Sequence, residues 1–181
     1  VTYRELGVNT YEKDTSAGAV VLKEFGEAYM DNETPHDLVF KYHVKIKILN
    51  KSGLSQADVE IPLWKQDAKE ETVRNIKASS FTIENNSMQE TKLDTRNVFT
   101  ENRSEYRDLK KFAIPNVVVG CIIEYEYELH SPFKFNFRTW YFQSDIPKME
   151  SEYTARIPGN YIYNITLKGF YPLSKNENSL V

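Results

Sequence analysis

The chain has 181 residues, with 23 Lys and Arg against 26 Asp and Glu, a formal net charge of −3 and one cysteine. This length fits one domain with a sizeable core, and the near balance of charge gives no electrostatic reason to expect a nucleic acid partner. One cysteine excludes an internal disulfide. No apolar run approaches the roughly 20 residues of a membrane helix, so no membrane span is expected in this segment.

The clearest pattern is the alternation of apolar and polar residues over residues 38–48. It predicts a strand in which one set of side chains is more buried than the other. The buried set is Phe40, Tyr42, Val44 and Ile46, and the solvent-facing set is Lys41, His43, Lys45 and Lys47. Turn residues at 50–53, followed by apolar Ala57, Val59 and Ile61, predict a second strand that returns as a hairpin.

The rest of the chain also favours strands over helices. Further strands are predicted over residues 17–22, 76–83, 107–114, 121–129, 137–143, 153–157 and 161–167. Residues 65–77 are the best helix candidate, because Asp67 can cap a first turn, but strand and loop readings compete there. These elements predict an all-β fold, an antiparallel β-sandwich with at most one or two short helices.

The single cysteine lies in the sequence GCIIEYEYEL, on the parity of Ile123 and Leu129 and opposite Glu124, Glu126 and Glu128. That parity predicts core packing for Cys121, since a nucleophilic cysteine needs access, a lowered pKa and a nearby histidine. The three histidines, at positions 36, 43 and 130, form no dyad with it in sequence. No catalytic residue, metal ligand set or cofactor-binding motif is expected in this segment.

Two other groups of residues allow more than one interpretation. Glu124, Glu126 and Glu128 could hold a cation or act as paired carboxylates, but a solvated strand face opposite Lys41, Lys45 and Lys47 is the simpler reading. The aromatic residues of the second half can pack in the core or stack on a glycan or peptide ligand. The candidate ligand or interface residues are Trp64, Phe133, Phe135, Trp140 and Tyr141.

Three sequence elements carry a resemblance to a known family: KILN at residues 47–50, FAIPNVVVG at 112–120 and FQSDIP at 142–147. Over about residues 14–158 the chain resembles a bacterial domain of unknown function. That domain is found N-terminal to transglutaminase-like, papain-like cysteine protease domains in exported proteins. The resemblance implies a β-sandwich accessory module with a Cys-His-Asp catalytic domain downstream. Cys121 matches no transglutaminase nucleophile motif, so the catalytic triad is not carried over to this chain.

The expected organisation follows from that resemblance. Residues 1–181 form a single accessory domain, with residues 1–16 as an N-terminal arm and 170–181 leading into a linker or a following domain. The module is expected to be non-catalytic and to pack against or position the downstream domain. The expected location is periplasmic, cell-surface or secreted, with a signal peptide removed. The alternatives are a carbohydrate- or peptide-binding module that uses exposed aromatic residues, and a cysteine hydrolase, which would require Cys121 to be accessible.

Overall fold

Ten strands, one short α-helix and two 3₁₀ helices form the regular structure in a computed structural model that describes residues 1–31, 37–134, 137–169 and 171–179. The α-helix is α1 (Tyr3–Leu6), and the 3₁₀ helices span Lys51–Ala57 and Thr95–Asn97. The strands are β1 (Ala19–Met30), β2 (Leu38–Ile48), β3 (Asp58–Gln66), β4 (Lys69–Glu70), β5 (Thr72–Glu84), β6 (Ser87–Lys92), β7 (Phe99–Ser104), β8 (Arg107–Ala113), β9 (Ile122–Ser131) and β10 (Ser151–Arg156).

The strands of the described ranges form two sheets. The large sheet has the order β10-β1-β2-β9-β5-β6, and the small sheet has the order β4-β3-β8-β7. All neighbours are antiparallel except β1 and β10. Apolar side chains of both sheets, such as Val44, Ile46, Ile61 and Phe112, form the core between them. The prediction of an all-β, mostly antiparallel sandwich with little helix is confirmed.

Strand β2 follows the predicted alternation at most positions. Phe40, Val44 and Ile46 are buried, and β2 pairs with β1 on one side and β9 on the other. The prediction for Lys47 is wrong, because its side chain is only 1% exposed. The N-terminal residues cover this end of the outer face, and the Lys47 ammonium donates to the carbonyl oxygens of Leu6 and Gly120. Burial lowers the pKa of Lys47.

Near the start of the small sheet the hairpin prediction is wrong, and residues 65–77 follow the strand reading and not the competing helix reading. β2 and β3 do not form a hairpin, because the 3₁₀ helix Lys51–Ala57 carries the chain from the large sheet to the small one. Residues 65–77 are not helical, since they contain the end of β3, β4 and the start of β5. Asp67 has a positive φ of 55° in the turn between β3 and β4, which suits an Asp at a turn better than a helix cap.

The other predicted strands divide into two groups. Those over residues 17–22, 76–83, 107–114, 121–129 and 153–157 correspond to β1, β5, β8, β9 and β10. Those over residues 137–143 and 161–167 are wrong, because neither stretch has a ladder partner within the described ranges. We call residues 137–148 the strap and residues 161–169 the unpaired segment. Strands β6 and β7 were missed because their sequences are mostly polar.

Candidate functional site

The strap crosses the open side of the sandwich and is anchored by Trp140. A Cβ atom placed on Gly26 of β1 would lie 2.3 Å from Cζ3 of Trp140, so the ring packs directly on the glycine backbone. The Trp140 ring also stacks on Tyr153, with centroids 5.3 Å apart, and its Nε1 donates to Ser151 Oγ at 3.1 Å. Glycine at position 26 is therefore required for the strap to reach this depth.

A buried carboxylate fixes the strap to the large sheet. Glu24 of β1 accepts hydrogen bonds from Tyr42 Oη at 2.7 Å, from Lys148 Nζ at 2.7 Å and from Ser151 Oγ at 2.8 Å. Lys148 Nζ also donates to the carbonyl oxygen of Tyr141 at 2.6 Å. The buried charge of Glu24 is thus paired and hydrogen-bonded, which is the arrangement that makes such burial tolerable.

A second ion pair fixes the strap to the small sheet. The Arg138 guanidinium donates to Glu71 Oε2 at 2.7 Å and to the carbonyl oxygen of Pro62 at 2.6 Å. The same Glu71 oxygen accepts from the backbone N–H of Trp64 at 2.9 Å. Arg138 Nε is buried and has no hydrogen-bond partner among the described residues.

The strap and the two sheets enclose a cleft of about 600 Å³. Its walls carry the rings of Tyr42, Tyr125 and Tyr127 from the large sheet and Val59 and Ile61 from β3. Burial raises the pKa of all three tyrosines, in the case of Tyr125 to about 12. Their hydroxyls therefore stay protonated at neutral pH and can act as hydrogen-bond donors or acceptors for a ligand, but not as bases.

The predicted ligand residues do not form one surface. Trp140 and Tyr141 both line the cleft, but Trp140 is packed inward whereas Tyr141 is 68% exposed. Trp64 is 41% exposed on the outside of the small sheet, with the Arg107 guanidinium 4.3 Å from its ring centroid. Phe133 is buried. Phe135 lies outside the described residues.

The sequence pattern did not reveal the four charged residues that hold the strap, Glu24, Glu71, Arg138 and Lys148. Glu24 was recognisable in principle, since it shares the parity of Gly26, Ala28 and Met30 on the buried face of β1. A charged residue at such a position indicates a buried partner. Arg138 and Lys148 give no comparable signal, because they lie in a segment without regular structure.

Cys121 is part of the core, as predicted. Its side chain is 1% exposed, and burial raises the pKa of its thiol. Its backbone N–H donates to the carbonyl oxygen of Val118 at 3.1 Å, and its own carbonyl accepts from Ile48 N–H at 3.0 Å. A buried thiol held in the protonated form is a poor nucleophile.

The glutamates opposite Cys121 form a paired, solvated face. Glu124 lies 2.8 Å from His43 Nε2, Glu126 2.7 Å from Lys77 Nζ and Glu128 3.6 Å from Lys41 Nζ. This confirms the simpler reading of these residues, although of the three lysines only Lys41 is a partner among the described residues, since Lys45 pairs with Glu5 and Lys47 is buried. In the part of the chain that the structure describes, no group of three or more His, Cys, Asp or Glu side chains could hold a metal ion.

Comparisons with known proteins give one family match and a distant similarity to a solved structure. One similar solved structure is a "putative protease" from Parabacteroides distasonis ATCC 8503, with 11% identity and a TM-score of 0.48. The match covers 63% of this chain and 23% of the length of that protein. No curated protein is significantly similar. Among the described residues, no helix has the length and apolar character needed to cross a membrane.

The family comparison is more extensive. Residues 35–179 match the model of a family described as a domain of unknown function with a solved structure, DUF3857. Because this match covers most of the chain, the protein belongs to the DUF3857 family.

Proposed function

We propose that this domain is a non-catalytic accessory module that packs against and positions a transglutaminase-like catalytic domain in the same polypeptide. The observation that carries the proposal is the unpaired segment, residues 161–169. It has the alternating, β-branched and aromatic composition of a strand, yet it pairs with no described strand of this domain. A segment of this kind is suited to pairing with another domain.

The unpaired segment is held against the module through Tyr163, while other apolar side chains in it are exposed. Tyr163 Oη donates to the carbonyl oxygen of Lys134 at 2.5 Å, and the Tyr163 ring contacts Phe137 with centroids 4.6 Å apart. Ile162 and Ile165, in contrast, are 95% and 79% exposed. The segment is therefore anchored to the module and leaves both isoleucines available to a neighbour.

The outer face of the large sheet does not offer a comparable surface. Several of its charges are paired within the module, as in the pairs between Lys23 and Glu150 at 2.9 Å and between Arg156 and Glu27 at 2.5 Å. Covering this face with an apolar partner would bury paired charges at a cost in desolvation. The contrast favours the unpaired segment as the contact between domains.

The buried state of Cys121 supports the non-catalytic role. A cysteine hydrolase needs a thiolate that substrate can reach, whereas this thiol is enclosed by the core and its pKa is raised. In the proposed arrangement, the Cys-His-Asp centre belongs to the downstream domain. We further propose that the whole protein is exported to the periplasm or cell surface or is secreted, a proposal that rests on the family resemblance and is tested by cell fractionation.

The test introduces charge into the unpaired segment of the full-length protein. The double substitution Ile162→Glu with Ile165→Glu should weaken association between this module and a separately produced downstream domain, measured by calorimetry, and should lower the activity of the intact protein. The matched control is Ile83→Glu, which places a charge at another exposed apolar residue, in β5. Equal effects of control and test variants, or no effect of either, would reject the proposal.

A second candidate function, ligand binding, is supported by the position of Tyr141. Its ring is exposed while its backbone carbonyl is fixed by Lys148 at the wall of the cleft. We propose that the cleft can accept a glycan or a peptide, independently of any catalytic domain. Titration of the chain with a glycan array and with extended peptides tests this, and the loss of all binding in Tyr141→Ala would connect the binding to the cleft.

A further inference from the structure

Strand β3 has one edge without a complete ladder. On its paired side, the alternate residues from Ala57 to Lys65 face β8, as shown by the bonds from Ile114 N–H to Ala57 C=O and from Lys65 N–H to Tyr106 C=O. Backbone N–H and C=O groups point to alternate edges along a strand. Those of Asp58, Glu60 and the other even-numbered residues of β3 therefore point to the opposite edge. Among the strands of the described residues, only the two-residue strand β4 pairs there, at Lys65 and Gln66.

Most of this second edge is blocked by other groups. The backbone of Trp64 bonds to the side chain and the N–H of Glu71, and Pro62 has no N–H while its carbonyl accepts from Arg138. Proline and covering side chains are common means of protecting a sheet edge. The exception is Glu60, whose N–H and C=O have no partner anywhere in the described ranges.

The open part of the edge lies at the cleft. Val59, Glu60 and Ile61 all line the cleft, opposite Val44 and Ile46 of the large sheet. A strand added beside Glu60 would direct alternate side chains into the space between the sheets, and the others outward. The cleft volume of about 600 Å³ falls within the roughly 300–1,000 Å³ of typical ligand sites, so it has room for these side chains.

The charges around the edge select a basic occupant. Asp145 of the strap lines the cleft and is exposed, and Asp58 is exposed on β3. No ion pair involves either carboxylate among the described residues, whereas Glu60 is neutralised by Lys111 at 2.8 Å. A ligand with a positive charge on its outward side would complement these free carboxylates.

A pyranose fits the cleft less well than a peptide does. Sugar binding needs an aromatic face that is free for stacking. Trp140 does not offer one, because it has one face against Tyr153 and packs closely on Gly26, which leaves the exposed ring of Tyr141 for that role. An extended peptide, in contrast, uses the main-chain donor and acceptor that Glu60 leaves open. Addition of a strand to a sheet edge is a recurring mode of peptide recognition.

We propose that the edge of β3 at Glu60, together with the cleft, binds an extended peptide that has apolar side chains at alternate positions and Lys or Arg at outward positions. This inference makes the second candidate function specific, and it does not depend on the accessory role. The bound peptide forms a two-bond pair with Glu60, places its apolar side chains in the cleft, and brings its basic residues near Asp58 and Asp145.

The experiment uses the full chain and a synthetic seven-residue peptide in which Val, Ile and Val alternate with Lys and Thr. Binding is measured by calorimetry, and protection of the Glu60 amide is measured by hydrogen exchange. We expect saturable binding and slower exchange of the Glu60 amide on peptide addition. Two control peptides should bind at least about tenfold more weakly. The first has the same composition with its apolar residues grouped together, so its side chains no longer alternate. The second is N-methylated on alternate amides, so it loses main-chain hydrogen-bond donors.

Matched variants separate the edge from general effects on the fold. Glu60→Pro should weaken peptide binding about tenfold by removing the free donor, whereas Glu60→Gln should retain it. Thr100→Pro is the second control, because it places a proline in β7, the opposite edge strand of the same sheet. If Glu60→Pro fails to fold, the hydrogen-exchange result on the native chain still decides the question.

Three outcomes would overturn the inference. They are absence of saturable binding, binding without protection of the Glu60 amide, and equal binding of the alternating and grouped peptides. A peptide with Glu in place of Lys should bind more weakly to the native chain, and Asp145→Asn should reduce this preference. Binding of glycans without binding of peptides would reject the peptide inference while leaving ligand binding at the cleft as the second candidate function.

Discussion

Strand β2 and the unpaired segment have similar sequences but different surroundings. Both alternate, with Val44 and Ile46 in one and Tyr163 and Ile165 in the other. β2 lies between β1 and β9 and buries its apolar side chains, whereas the unpaired segment leaves Ile165 79% exposed. The difference shows that alternation indicates the capacity to form a strand, while burial depends on the presence of a neighbouring strand.

The largest expected effect separates the two regions directly. Ile46→Ala should lower the free energy of unfolding by about 2–4 kcal/mol, because it opens a cavity between the sheets. Ile165→Ala should change it by less than about 0.5 kcal/mol in the isolated chain, since the side chain is already in water. Denaturant titration measures both. A large loss at Ile165 would mean that the segment is packed without any partner.

A somewhat smaller effect is expected when the hydroxyl of Tyr42, through which β2 helps to hold the strap, is removed. Tyr42→Phe should cost about 1.5–3 kcal/mol, because Tyr42 Oη donates to the buried carboxylate of Glu24 at 2.7 Å. Thermal unfolding of the variant measures the loss. An unchanged melting temperature would show that the strap is not held through Glu24.

Cys121, the residue before β9, tests the core beside the end of β2. Cys121→Ser should cost roughly 1–3 kcal/mol through a poorly paired buried hydroxyl, and Cys121→Ala should cost less because it leaves only a small cavity. Thiol labelling of the native chain should be slow. Rapid labelling with unaltered melting of both variants would instead indicate a reactive, exposed cysteine.

The smallest effect is a difference in alkaline sensitivity. Burial raises the pKa of Tyr125 and Tyr153 to about 12, against about 10 in an unfolded chain. The unfolded state therefore loses these protons first, so the stability they contribute is complete below about pH 10 and is lost as pH rises from about 10 to about 12. Tyr153 Oη has no hydrogen-bond partner among the described residues, so Tyr153→Phe should not destabilise the protein and should reduce this slope.

The pH experiment has a clear contrary outcome. The free energy of unfolding, measured at several pH values between 9 and 12, should fall less steeply with pH for Tyr153→Phe than for the native chain. Identical slopes would place the Tyr153 hydroxyl in water rather than in the interior.

Local pattern was sufficient to predict the strands that are central in the sheets. β2 and β9 combine apolar alternation with a buried face, a pattern specific to a half-buried strand, whereas β5 buries Ala78, Ser80 and Thr82 and leaves Ile83 exposed. For residues 65–77 the sequence left helix, strand and loop open, because Asp67 suits both a helix cap and a turn, and the strand reading is the one that the structure contains. The hairpin between β2 and β3 failed because a turn sequence does not determine which sheet the next strand joins.

The site was less predictable than the fold. Trp140 and Tyr141 do lie at the cleft, but the strap is held by Glu24, Arg138 and Lys148, whose partners are distant in sequence. Lys47 shows the same limit, because its burial depends on α1 crossing the outer face of β2. Such contacts arise from tertiary packing, and a residue pattern within one strand carries no information about them.

Amide hydrogen exchange on the unpaired segment, with and without the downstream domain, tests the central claim most directly. In the isolated chain, the amides of β2 should be strongly protected and those of residues 161–169 should exchange rapidly. Addition of the downstream domain should slow exchange in residues 161–169 and leave β2 unchanged. Rapid exchange in that segment with the domain bound, or full protection in the isolated chain, would contradict the account.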